Sequence, residues 1–224
     1  SDIGQDKKLQ IEFVSANPTG PLSIAHARQA AVGDTLANIL SFIGWQVSRE
    51  YYINDEGNQI RLLGESIKAR CLELLKKEFI FPENGYKGAY IYDIANILID
   101  KYPDDILNKE TDFFSNYGTE FILNWIKDDL NVFGVKFDNW FSQKELSLTK
   151  KIEESISEIK KRGLVYEKEG AVWFRSTDFG DDKDRFLIKS DGNFTYITPD
   201  IAYHRDKFLR GFVRLINIWG PDHH

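Results

Sequence analysis

Methionine is missing from all 224 residues and the first residue is serine, so the chain reads as an excised or processed piece. With a single cysteine, Cys71, no internal disulfide can form. No charged-then-apolar leader opens the chain, and no run of about 18 apolar residues interrupts it. Neither export nor membrane spanning is indicated, and the cytoplasm is the expected compartment. Basic residues are also in short supply: 29 Lys and Arg face 35 Asp and Glu, a formal charge of −6. That argues against a dedicated nucleic-acid-binding module, which needs clustered cations for phosphate contacts. Gly-x-Gly-x-x-Gly and Walker-lysine motifs are absent, as is any internal repeat. What remains is 42% hydrophobic and 14% aromatic, enough for one large core or two modest ones.

Patterning divides the chain. "LQIEFVSA" alternates and then saturates with apolar, β-prone residues, predicting a buried strand over roughly 9 to 15. Apolar positions at Ile24, Ala27, Ala31, Val32, Leu36, Ile39, Leu40 and Ile43 then form a helical stripe, with Gly44 as its stop. "WQVSREYYI" is a second strand, so residues 1–56 read as a βαβ unit of a parallel, Rossmann-like sheet. Residues 57–190 read as a mostly helical insertion: helices at 57–79, 92–100, 111–133 and 145–162, then a small β element with a "SDGN" hairpin turn. Residues 191–224 return to the sheet through a helix ending near Leu209 and an apolar strand, "GFVRLINIWG", before "PDHH". The fold class is α/β, with the sheet left incomplete.

The join "SANPTGPLSIAHARQ" lies where a strand hands over to a helix, the place at which open parallel sheets bind ligands. Pro18 and Pro21 stiffen it, and Gly20 permits a tight turn or close approach. The first helical turn offers unpaired N–H groups and a positive dipole end, suited to a phosphate, and His26 adds a donor. Ordinary loop punctuation before a helix would look the same.

"VSANPTGPLSIAHARQAAVGDTLANIL", "GWQVSREYYINDEGNQI", "FTYITPDIAYHRDKF" and the closing "WGPDHH" together resemble the catalytic domain of bacterial-type arginyl-tRNA synthetases, class I enzymes with a Rossmann-like nucleotide fold. The likeness runs over the whole chain. It departs at the HIGH-type signature, where the four positions are Ser23-Ile24-Ala25-His26: the first His is Ser and the Gly is Ala. Serine donates one hydrogen bond but carries no imidazolium charge, so stabilisation of ATP's phosphates should weaken.

The resemblance implies ATP-dependent joining of arginine to its tRNA through an arginyl-adenylate, with Mg2+ accompanying ATP. It implies that Tyr196 and Asp200 line the arginine side-chain pocket and that Glu12 adds a carboxylate. Ser15 and Asn17 would contact the α-amino and carboxylate end. Gly20, Ser23, His26 and His223 would face ATP, His26 and Ser23 acting catalytically, and Asp222 would lie near arginine. No metal site of the protein's own is expected, and the parent is expected to be a monomer without membrane association.

Blander readings stand beside these. Asp200 could occupy the first turn of a helix capped by Thr198, and Glu12 could be a solvated strand residue. Tyr203 and His204 read as packing or helix-surface residues, "GDDKD" as a solvated turn, and the final "HH" as a tag stub or metal pair. The family's KMSKS-type loop, anticodon-binding domain and N-terminal tRNA-gripping domain have no counterpart here. A non-catalytic amino acid or nucleotide-binding module derived from a synthetase is therefore the alternative, with another class I synthetase behind it.

Overall fold

The computed structural model describes residues 2–220. Strand β1 (Lys8–Phe13) leads into helix α1 (Ile24–Phe42), which returns to β2 (Gln46–Ile53). Helices α2 (Asn58–Leu74), α3 (Ala89–Lys101) and α4 (Thr111–Val132) follow, then β3 (Asn139–Ser142), α5 (Gln143–Leu148) and α6 (Lys151–Lys161). A three-stranded antiparallel sheet comprises β4 (Val165–Lys168), β5 (Ala171–Phe174) and β6 (Arg185–Ile188). Helix α7 (Ile197–Leu209) and strand β7 (Arg214–Ile218) complete the order.

The main sheet is parallel throughout, in the order β3-β2-β1-β7. Strand β3 falls inside 57–190, so that segment is not one excursion from the sheet: the chain leaves, returns for β3 and leaves again. Four residues flanked by "GVKFD" carry too little pattern to signal a strand. Their place comes from β2, which pairs them, and from Tyr51 stacking on Trp140 at 4.4 Å. The expected helix at 145–162 is two helices, broken at Lys150, whose φ is +59°.

Helix α1 ends as expected. Gly44 has φ +94°, and the amides of Gly44 and Trp45 donate to the carbonyls of Ser41 and Leu40. Its packing face differs from the expected stripe. Ala30, Gly33 and Ala37 are buried, whereas Ile24 is 88% exposed and Val32 and Ile39 are also exposed. The reason is proximity: a Cβ on Gly33 would sit 2.2 Å from the Phe13 ring. Small residues let the helix approach β1, and Leu36 and Leu40 flank the contact.

The core beneath α1 joins Leu9, Ile11 and Phe13 to the helical layer of α2, α3 and α4. A smaller cluster of Phe141, Leu146, Ile152, Ala202 and Tyr203 ties α5 and α6 to α7. The "SDGN" turn forms as expected, with Gly192 donating to Lys189 and Lys189 to Asn193. No helix among the described residues is long and apolar enough to cross a membrane.

Candidate active site

Strand order decides where a ligand can enter. From β1 the chain steps through α1 to β2 on one side, while β7 lies on the other, so the connections diverge at the carboxyl ends of β1 and β7. A cleft of about 190 Å³ opens there. Glu12, Ser15, Asn17 and Asp200 all line it, so segments nearly 200 residues apart converge as expected. Gln29, Tyr52, Asn54 and Tyr203 complete much of the wall. None of the four was singled out from the sequence for this cleft; the fold collects them. The Gln29 Oε1 atom is buried without a hydrogen-bond partner among the described residues.

The end of β1 is strained. Val14 and Ser15 both take positive φ, +67° and +41°, which is costly for a β-branched valine. The turn sends the Ser15 hydroxyl back to the sheet, where it accepts from the Tyr52 amide (3.1 Å) and donates to Glu12 Oε1 (3.3 Å). Tyr51 secures the next residues, donating from its hydroxyl to the Ala16 carbonyl at 2.8 Å. Two carboxylates, Glu12 and Asp200, line the cleft. Burial, and then the charges of Asp200, Glu12, Asp55 and Glu56, push the Tyr52 hydroxyl well above its ordinary pKa. A cation is the ligand such a field favours.

Behind the cleft runs a row of polar side chains across all four strands. Register sets Asn139, Glu50, Glu12 and Asn217 side by side on β3, β2, β1 and β7. Two adjacent buried carboxylates would repel, and α7 answers with cations three residues apart. Lys207, fully buried, meets Glu12 at 2.6 Å, and Arg210 meets Glu50 through two bonds of 2.5 and 2.8 Å. Tyr203 (2.7 Å) and Asn139 (2.7 Å) donate to Glu50 as well. Burial opposes the Glu50 charge, but the bonds from Arg210, Asn139 and Tyr203 outweigh it and hold the carboxyl below its ordinary pKa. Tyr203 is the packing residue expected, and its hydroxyl adds a bond to Glu50. Asp200 does sit in the first turn of α7, but Thr198 is no cap: it lies within the helix and donates to the Leu187 carbonyl at 2.6 Å.

The remaining expected residues lie elsewhere. Ser23 is the N-cap of α1, and its amide donates to His26 Nδ1 at 3.0 Å. With Nδ1 accepting, the ring proton belongs on Nε2. Burial lowers the His26 pKa, which favours this neutral form. Neither residue lines the 190 Å³ cleft, nor does Gly20, which sits against Tyr90 with room for a Cβ only 3.1 Å from its hydroxyl. Tyr196 is 80% exposed at the N-cap of α7, outside the cleft lining; Tyr52 and Tyr203 are the tyrosines in the wall. Asp222 and His223 fall outside the described residues. Among those described, no group of three or more His, Cys, Asp or Glu could hold a metal ion.

Comparison with known proteins meets this geometry from the other side. The model for tRNA synthetases class I (R), catalytic domain, matches residues 1–211. The chain belongs to that family. As a synthetase catalytic domain it is 52% identical, over its full length, to arginine–tRNA ligase 1 of Halalkalibacterium halodurans, and 51% identical to arginine–tRNA ligase of Bacillus subtilis. It spans 41% of the length of each of these relatives. A crystal structure assigned to an arginyl-tRNA synthetase from Campylobacter jejuni superposes on 97% of the chain, and on 49% of its own, with TM-score 0.87 at 38% identity. The Thermus thermophilus arginyl-tRNA synthetase covers 88% of this catalytic domain and 35% of its own chain, with TM-score 0.64; at 20% identity it bears on the fold alone.

Proposed function

We propose that the natural polypeptide carrying this sequence attaches arginine to its cognate tRNA through an arginyl-adenylate, using ATP with Mg2+ as substrate. The observation that carries this reading is the convergence of Glu12, Ser15, Asn17 and Asp200 on one carboxylate-lined cleft at the sheet's switch point. In it, Asp200 and Glu12 receive the positive ends of arginine, while Ser15 and Asn17 orient its α-amino and carboxylate groups. The amino acid carboxylate then attacks the α-phosphate of ATP and pyrophosphate leaves; a hydroxyl of the terminal ribose of tRNA attacks the carbonyl of the adenylate, forming the ester and releasing AMP. His26, with its proton on Nε2, donates to the phosphates beside the amides of the first turn of α1. Gly20, Ser23 and His223 belong to the ATP side, Asp222 and Tyr196 to the arginine side. A soluble, cytoplasmic and monomeric parent completes the reading.

Arginine-dependent ATP–pyrophosphate exchange with tRNA supplied is the test. Exchange with arginine, and none with glutamine, glutamate or cysteine, is expected; a preference for one of those three overturns the pocket assignment. Ser23 and Ala25 in the signature favour a second reading, a module that binds arginine without activating it. Arginine binding without any exchange would select it.

A further inference from the structure

The two carboxylates of the cleft stand on different elements, yet the side chains behind them form one series of polar contacts: hydrogen bonds from Glu12 as far as the Asp200 backbone carbonyl, and an ion-pair contact to the Asp200 carboxylate. Lys207 Nζ lies 2.6 Å from Glu12 Oε2 and 3.1 Å from Asn217 Oδ1. Asn217 Nδ2 lies 3.1 Å from His204 Nε2. His204 Nδ1 lies 2.9 Å from the Asp200 carbonyl and 3.3 Å from its carboxylate. None of Lys207, Asn217 and His204 lines the cleft.

Polarity along the series follows from one end. An ammonium has only donors, so Asn217 turns its carbonyl oxygen to Lys207. Its amide NH2 therefore faces His204, whose Nε2 must accept and so carries no proton. The ring proton is left on Nδ1, where it meets Asp200. A second proton, on Nε2, would oppose two donors across 3.1 Å. Turning the amide over to relieve that would set its NH2 against the Lys207 ammonium instead. Either way the series breaks between Glu12 and Asp200.

We propose that Lys207, Asn217 and His204 are positioning residues which hold Glu12 and Asp200 in the arrangement that binds arginine, and that a proton on His204 Nε2 releases that arrangement. The proposal rests on the arginine reading above. The groups facing His204 are Asp200, Lys207 and the Tyr203 ring from α7, Asn217 from β7 and, through Lys207, Glu12 from β1. The hydrogen bond to Asp200 lifts the His204 pKa above its ordinary value, with burial and Lys207 opposing. Proton uptake there competes with arginine, so by linkage arginine binding expels the proton.

The test uses the natural polypeptide, with arginine as the probe. The arginine KM should rise as pH falls through the His204 titration, with kcat changing less, and calorimetry in buffers of different ionisation enthalpy should show proton release on binding. His204→Gln keeps a donor and an acceptor but does not titrate; it should flatten the acid limb and abolish the release. Asn217→Asp cannot donate to neutral Nε2 and favours the protonated ring, so the acid limb should move to higher pH. An unchanged profile in both variants, with arginine still bound, overturns the relay alone. Absence of arginine binding by the unmodified protein overturns the functional reading and the relay with it. Should neither variant fold, the ring nitrogen chemical shifts of the unmodified protein decide: neutral His204 protonated on Nε2 overturns the proposal, and on Nδ1 supports it.

Discussion

Asp200 and Glu12 are both carboxylates in the cleft, but they differ in freedom. Glu12 is buried and committed through one oxygen to Lys207, whereas Asp200 is exposed and, among the described residues, pairs with His204 alone. On the arginine reading proposed above, Asp200 is the carboxylate that takes up the guanidinium. Asp200→Asn should raise the arginine KM by about 10- to 100-fold, the loss of a charge-assisted hydrogen bond worth about 1.5–3 kcal/mol. Arginine-dependence of pyrophosphate exchange measures it, and an unchanged KM would remove Asp200 from the site. The residues of the cleft were legible in uneven ways. Ser15, Asn17 and Asp200 stand in strings with a family likeness. Tyr52 and Gln29 stand in such strings too, but within a strand and a helix whose local pattern assigns them no place in a cleft; that place comes from the ends of elements meeting. Lys207 was hidden for a different reason. A lysine near the end of a helix reads as a solvated residue unless a buried acid on another element is known to await it.

At the scale of elements, two contacts carry the domain. Helix α1 approaches β1 over Gly33, so Gly33→Ala should cost about 1–3 kcal/mol by forcing a methyl into the Phe13 ring. Urea denaturation measures this, and shrinking Phe13 to Leu in the same background should recover part of the loss. Helix α7 docks by ion pairs. Arg210→Leu leaves Glu50 buried without its cation and should cost about 3–5 kcal/mol at neutral pH. The sign with pH follows from the depressed Glu50 carboxyl. Its contribution is complete above the unfolded carboxylate pKa of about 4.3 and disappears as pH falls through the lower folded value. The stability gap between the Arg210→Leu variant and the unmodified protein should therefore narrow in acid. The βαβ unit was legible because period, glycine stop and strand runs agree. The contact face of α1 was not, since a reading by hydrophobicity selects Ile24, Val32 and Ile39 while the close approach selects Ala30, Gly33 and Ala37.

For the whole molecule, charge and edges matter most. A formal charge of −6 leaves little cationic surface for phosphate contacts. The 224-residue chain alone should bind tRNA weakly and with steep salt dependence. Tight binding in a gel shift at moderate salt would contradict this. Strand β7 pairs only with β1 among the described residues, which makes it an edge of the four-stranded sheet.

The row of acids beneath α7 also acts as a lock on alignment. A helix resting on hydrocarbon alone can slide along its groove by a turn at small cost. This one cannot: a shift of four residues would carry Tyr203 to the place of Lys207 and strand Glu12 without a counter-ion. Because Asp200 rides on the same helix, its distance from β1 is set by that interlock, and the breadth of the opening above it is held by an ion pair whose cation, Lys207, stands outside the cleft lining.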